Sequence, residues 1–109
     1  MEIKDATAAL AALGQATRLA VFRLLVEAGP DGRLAGEIAE ALELPGATLS
    51  FHLKELAAAG LIAAEPQGRA IRYRADFAAM DALIGFLTRN CCASSGAPGC
   101  LPGARRDCA

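Results

Sequence analysis

Residues 47–62 read Ala47-Thr48-Leu49-Ser50-Phe51-His52-Leu53-Lys54-Glu55-Leu56-Ala57-Ala58-Ala59-Gly60-Leu61-Ile62. Leu49, Leu53 and Leu56 fall at i, i+4 and i+7, so they stack on one side of a helix over about residues 47–59. Ala47, Phe51, Lys54, Glu55 and Ala58 fall on roughly the opposite side, and Thr48, Ser50 and His52 flank the apolar stripe. Gly60 ends the helix, because glycine tolerates the left-handed conformation with which helices commonly terminate.

Just before this helix, Leu34, Ile38, Ala41 and Leu42 form the stripe of a shorter helix ending near Glu43, and Pro45-Gly46 turns the chain between the two. Just after it, the period changes. Leu61 to Glu65 and Arg69 to Arg74 flank Pro66-Gln67-Gly68, and the second run alternates, with Ile71 and Tyr73 on one face and Arg72 and Arg74 on the other. That is a β-hairpin with its turn at 66–68. Upstream, helices are expected over about Asp5 to Leu13 and Ala16 to Ala28, the latter with Leu19, Phe22, Leu25 and Val26 as its inward face and glycines on either side. A last helix, about Phe77 to Asn90, carries Phe77, Met80, Leu83, Ile84 and Leu87 at core spacing. The expected fold is mainly α (α+β): a winged helix-turn-helix of about five helices with a two-stranded β-hairpin wing.

This element order points to DNA. A helix fits the major groove and offers short side chains to base edges, while a wing lays guanidinium groups along the backbone. On that reading Ala47, Thr48, Ser50 and Phe51 face bases, and His52, Lys54, Arg69 and Arg72 position the helix through phosphates. Plainer readings stand beside it. His52 is equally suited to a satisfied, semi-buried position, the wing arginines to a solvated strand face, and Arg18 to a phosphate or a local carboxylate.

The chain has 109 residues, the size of one domain, and no room for a separate catalytic module. Much of its hydrophobic fraction of 54% is alanine, with no tryptophan, so the core of one copy is thin and pairing with a second copy is expected. The formal net charge is -1, yet Arg69, Arg72 and Arg74 lie together without an acid between residues 66 and 75. A local basic edge of this kind can meet phosphate although the whole is near neutral. No stretch approaches the roughly 18 continuous apolar residues of a membrane span, and Met1-Glu2-Ile3-Lys4-Asp5 is unlike a secretion signal, so a cytoplasmic protein without a membrane partner is expected.

Thr48 through Leu56, followed by Ala59-Gly60-Leu61-Ile62, closely resembles the recognition helix and wing entry of the ArsR family of metal-responsive repressors. Gln15-Ala16-Thr17-Arg18-Leu19 resembles that family's second-helix opening, and Gly68-Arg69 through Tyr73-Arg74 its wing. The resemblance spans about residues 5–90. It implies a homodimer built from the first and last helices, a double-stranded operator of approximate two-fold symmetry, and repression relieved by an effector. One sensor site of the family, a Cys-x-Cys pair on the helix before the recognition helix, is missing, since that stretch reads Leu34-Ala35-Gly36-Glu37-Ile38.

The chain's 4 cysteines are instead Cys91, Cys92, Cys100 and Cys108. Residues 1–92 are expected to form the DNA-binding and dimerisation domain, and the Gly-, Pro- and Ser-rich residues 93–109 a flexible arm. An adjacent pair plus a downstream cysteine resembles the trithiolate sites of some family members, which implies As(III) or Sb(III) as the effector, held by Cys91, Cys92 and Cys100. The chemistry suits this, because thiolate is a soft ligand and a trivalent metalloid takes three sulfurs in a pyramid. At a helix C-terminus the macrodipole disfavours thiolate, so binding has to displace protons. A redox switch or a zinc site on the same scaffold is an alternative reading, as is a metalloid-scavenging protein that does not bind DNA. An enzyme is not expected: there is 1 histidine, no nucleophile elbow and no phosphate-binding glycine loop.

Overall fold

The computed structural model describes residues 1–94. Five α-helices and three short strands follow in the order α1 (Ile3–Leu13), α2 (Ala16–Ala28), β1 (Arg33–Leu34), α3 (Ala35–Leu42), α4 (Gly46–Ala58), β2 (Ile62–Gln67), β3 (Ala70–Ala75) and α5 (Phe77–Thr88), with a 3-10 turn at Gly29–Asp31. Cys100 and Cys108 lie outside the described residues.

Each junction has a local cause. The Gln15 side chain accepts a hydrogen bond from Arg18 N–H at 2.8 Å and starts α2. Glu37 reaches back 2.7 Å to Leu34 N–H and starts α3. Glu43, in the left-handed region at φ 52, ends α3 while Leu44 N–H bonds Ala39 O. Gly60, at φ 78, does the same for α4, with Leu61 N–H on Leu56 O at 3.1 Å, the Schellman arrangement. Asp76 then caps α5 by accepting from Ala79 N–H at 3.0 Å.

The core gathers Val21, Phe22 and Leu25 of α2, Ile38 of α3, Leu49, Leu53 and Leu56 of α4, Leu61 and Ile62 at the wing entry, and Leu83 of α5. Ala6, Ala9 and Ala12, three apart along α1, are buried too, and their small side chains let α1 lie close against its neighbours. Leu19, expected inside, is instead exposed, as are Ile3 and Leu10 of α1 and Ile84 and Leu87 of α5.

The sheet differs from the expected two-stranded hairpin in two ways. First, Arg33 and Leu34 add a third strand, pairing antiparallel with Tyr73 and Arg72, so the order is β1-β3-β2. Gly32 makes this possible: a side chain there would run into the Tyr73 carbonyl. Second, the turn is not at 66–68. Pro66 and Gln67 pair with Ile71 and Ala70, and the chain reverses at Gly68-Arg69. Gly68 has φ 65 and Arg69 a negative φ, the sign pattern of a II′ turn with glycine first. Proline is tolerated in β2 because that strand is an edge of the sheet.

Candidate nucleic-acid interface and thiol pair

The helix α4 divides as its stripe requires. Leu49, Leu53 and Leu56 are buried, while Ala47, Thr48, Ser50, Phe51 and Lys54 are exposed along one continuous face. Phe51 is 56% exposed, a large apolar surface for a ring on a free helix. Pro45 precedes the helix without a side-chain cap, so its first N–H groups and the positive end of its dipole stay open beside Ala47 and Thr48. A face of short side chains, one exposed ring and an uncapped N-terminus can approach base edges and phosphate together.

His52 belongs elsewhere. It is only 8% exposed, the one buried polar side chain among the described residues, and its Nδ1 lies 3.4 Å from Arg18 Nη1. Of the two positions left open by the sequence, the structure gives the semi-buried one. Its ring also meets Phe51 edge-on, with centroids 5.4 Å apart.

The wing arginines are unequal. Arg69 occupies the exposed tip. Arg72 donates to Asp31 O at 2.9 Å and to Gln67 Oε1 at 3.2 Å. Arg74 donates to Pro30 O at 2.9 Å and pairs with Glu65, whose carboxyl it holds below the ordinary carboxylate value by hydrogen bond and charge. Arg72 and Arg74 therefore brace the wing against the 3-10 turn, and neither carbonyl partner lies near them in sequence. A groove of about 810 Å³ runs over Leu24 and Leu34 and is edged by Arg33 together with Glu27, Glu37 and Glu40.

Beyond α5 the chain turns twice. Asn90 and Cys92 have φ 59 and 65, and Cys91 N–H bonds Thr88 O while Ala93 N–H bonds Asn90 O, each at 3.1 Å. These turns bring Cys91 Sγ and Cys92 Sγ to 3.2 Å of each other. The Cys92 thiol, followed by partial desolvation, raises Cys91 above the ordinary thiol value. Arg89 sits over the Phe86 ring, 5.1 Å from its centroid. Among the described residues no three His, Cys, Asp or Glu side chains gather as metal ligands. No single helix among them is long and apolar enough to cross a membrane.

The bridge from Arg18 to His52 was not foreseen. Its only sequence signal is a basic residue in the first turn of α2 and a histidine beside, rather than on, the polar face of α4.

Comparison with known proteins places this arrangement. The helix-turn-helix domain family matches residues 13–64. No curated protein sequence matches the chain. Among solved structures, an ArsR-like transcriptional regulator from a Rhodococcus species is 30% identical, with 79% of this chain and 78% of that one covered and a TM-score of 0.69. HlyU from Vibrio cholerae is 28% identical, covering 84% of this chain and 99% of its own, at a TM-score of 0.66. A domain from Mycobacterium bovis, described as a homodimeric winged helix-turn-helix DNA-binding domain of a possible ArsR-family transcriptional regulator, is 26% identical, covering 81% and 82%, at a TM-score of 0.64. The exposed face of α4, a braced wing and relatives of this closeness lead to one assignment: the chain belongs to the ArsR-like family of winged helix-turn-helix, DNA-binding transcriptional regulators.

Proposed function

We propose that the protein is a cytoplasmic, homodimeric repressor that holds operator DNA through α4 and the wing tip and releases it when As(III) or Sb(III) bonds the thiols beyond α5. The observation that carries the metalloid part is the Cys91–Cys92 pair, with sulfurs 3.2 Å apart, near enough to bond one acceptor atom. Soft trivalent arsenic takes three sulfurs, and Cys100 is the third in this reading. Arsenous acid has three hydroxyls. Each thiol that bonds arsenic gives its proton to a departing hydroxyl, which leaves as water, so protonated thiols are competent reactants and the raised Cys91 is no obstacle near neutral pH.

Dimerisation is supported by apolar side chains that one copy leaves in water. Ile3 of α1 is 70% exposed and Leu87 of α5 is 57% exposed, on two helices that touch each other. Burying a large aliphatic side chain contributes about 1.5–3 kcal/mol, and a two-fold contact counts each one twice. The homodimeric Mycobacterium bovis relative supports the same reading. In such a dimer the two α4 helices would sit roughly 34 Å apart, one DNA turn, with Ala47, Thr48, Ser50 and Phe51 toward bases and Lys54 and Arg69 toward phosphates. Arg72 joins them only by leaving its carbonyl, and His52 acts from within. Metalloid binding at the end of α5 disturbs the dimer contact. About 2–3 kcal/mol of coupling then weakens DNA binding by roughly 30- to 150-fold.

The test is arsenite titration of protein bound to a labelled duplex from the promoter upstream of its own coding sequence. Cys91→Ser, Cys92→Ser and Cys100→Ser should each bind the duplex and fail to release it. Release persisting in all three variants would refute the thiol site.

A further inference from the structure

Arg18 Nε donates to the carbonyl oxygen of Ala12 at 2.7 Å, while Nη1 of the same guanidinium lies 3.4 Å from His52 Nδ1. Ala12 is in the last turn of α1, where carbonyls have no partner within the helix. The guanidinium thus closes the end of α1 and grips the recognition helix at once. Because it has only donors, Nδ1 must accept, and the neutral ring then carries its proton on Nε2. The rest of the inward face of α4 is Leu49, Leu53 and Leu56. Leucine packing decides which face of α4 turns inward but is non-directional, whereas a hydrogen bond from a planar fork adds a constraint of distance and angle on that face.

We infer that Arg18 is a positioning residue for DNA docking, setting the rotation of α4 against α1 by bonding Ala12 and His52 together. The inference rests on the reading that α4 enters the groove. It also supplies a link that reading lacks: α1 touches α5, the helix that leads to the thiol pair, so one side chain ties that helix pair to the face that reads DNA. Lysine carries one nitrogen on a flexible stem and cannot hold two separated acceptors in one geometry, although it keeps the charge.

The experiment measures the affinity of the full chain for the promoter duplex over a salt series. Arg18→Lys should bind about tenfold more weakly, with the slope of log affinity against log salt unchanged. Loss of a direct phosphate contact would instead lower that slope by about 1. His52→Phe, which keeps a planar ring and removes the acceptor, should weaken binding at least equally, and adding Arg18→Lys to it should cost nothing more. His52→Asn, whose side-chain oxygen can stand near the Nδ1 position, should restore part of the loss. Long-range proton–nitrogen NMR of the free protein should show His52 as the Nε2–H tautomer, and a mixture in Arg18→Lys. Wild-type affinity in Arg18→Lys, a reduced salt slope, or additive losses would overturn the inference. Where Arg18→Lys does not fold, wild-type affinity in His52→Phe would overturn it. A wild-type protein that ignores the duplex would sink the docking reading and this inference together, whereas binding unaffected by the variants sinks this inference alone.

Discussion

Replacing Gly32 by alanine should destabilise the protein well beyond the same change at Gly29. Both glycines have nearly the same backbone, φ 73 and ψ -159 at Gly29 against φ 62 and ψ -158 at Gly32, a region almost closed to other residues. Each substitution therefore carries about 1–3 kcal/mol of backbone strain. Only one meets an obstacle. An added Cβ at Gly29 has nothing within 4 Å, whereas at Gly32 it collides with the Tyr73 carbonyl and comes within 2.8 Å of Arg74 Cγ. Relieving that collision separates β1 from β3 and pulls Arg72 and Arg74 from the carbonyls that brace the wing. Overpacking of this kind costs about 1–3 kcal/mol more. At about 4–8 °C per kcal/mol for a domain of this size, Gly32→Ala should melt at least several degrees below Gly29→Ala. Urea unfolding at a fixed protomer concentration reads the difference directly, since a dimer's stability depends on concentration. Equal midpoints for the two variants would show that the close approach of the 3-10 turn to β3 is not a constraint.

Phe51→Ala should leave thermal stability within about 0.5 kcal/mol, because the ring is mostly exposed, yet weaken duplex binding several-fold, as competition between T-rich and T-poor sites would reveal. Arg69→Ala should lower affinity on all duplexes alike and reduce the salt slope by about 1. The Glu65–Arg74 contribution should respond to acid: a carboxyl held below its ordinary value stabilises the wing above that value, and the contribution is lost as pH falls through the lowered one. Wing amide shifts followed by NMR on acidification should show this transition in the wild type and not in Glu65→Gln; the pair is exposed, so the effect on global stability is small.

How much of this was legible in the sequence depends on how local the cause was. The span of α2, Ala16–Ala28, was legible to the residue because Gly14 and Gly29 bracket it and its cap, Gln15, is adjacent. The α4 stripe and the alternation in β3 were equally plain, for periodicity is a property of neighbours. What failed depended on partners far along the chain. Strand β1 is two residues long and exists only because β3, some forty positions away, offers an edge. Whether His52 faces in or out is decided by Arg18 of α2. The partners of Arg72 and Arg74 are carbonyls of Asp31 and Pro30, invisible to any reading of side-chain pattern. The turn slipped by two positions because Pro66 looked like a breaker, which holds for a central strand and not for an edge. At the thiol pair, adjacency was evident from the sequence, whereas the left-handed turns at Asn90 and Cys92 that bring the sulfurs together were not. Leu19, Ile84 and Leu87 were rightly apolar faces, but a single chain cannot say whether its own core or a second copy covers them.

The most direct test of the account is the anisotropy of a labelled promoter duplex titrated with the reduced wild-type protein at several salt concentrations, then with arsenite. The account predicts affinity that falls steeply with salt and a further loss of roughly 30- to 150-fold once arsenite saturates the thiols. Anisotropy that never rises above that of free duplex, or that stays high with the thiols saturated, would contradict it.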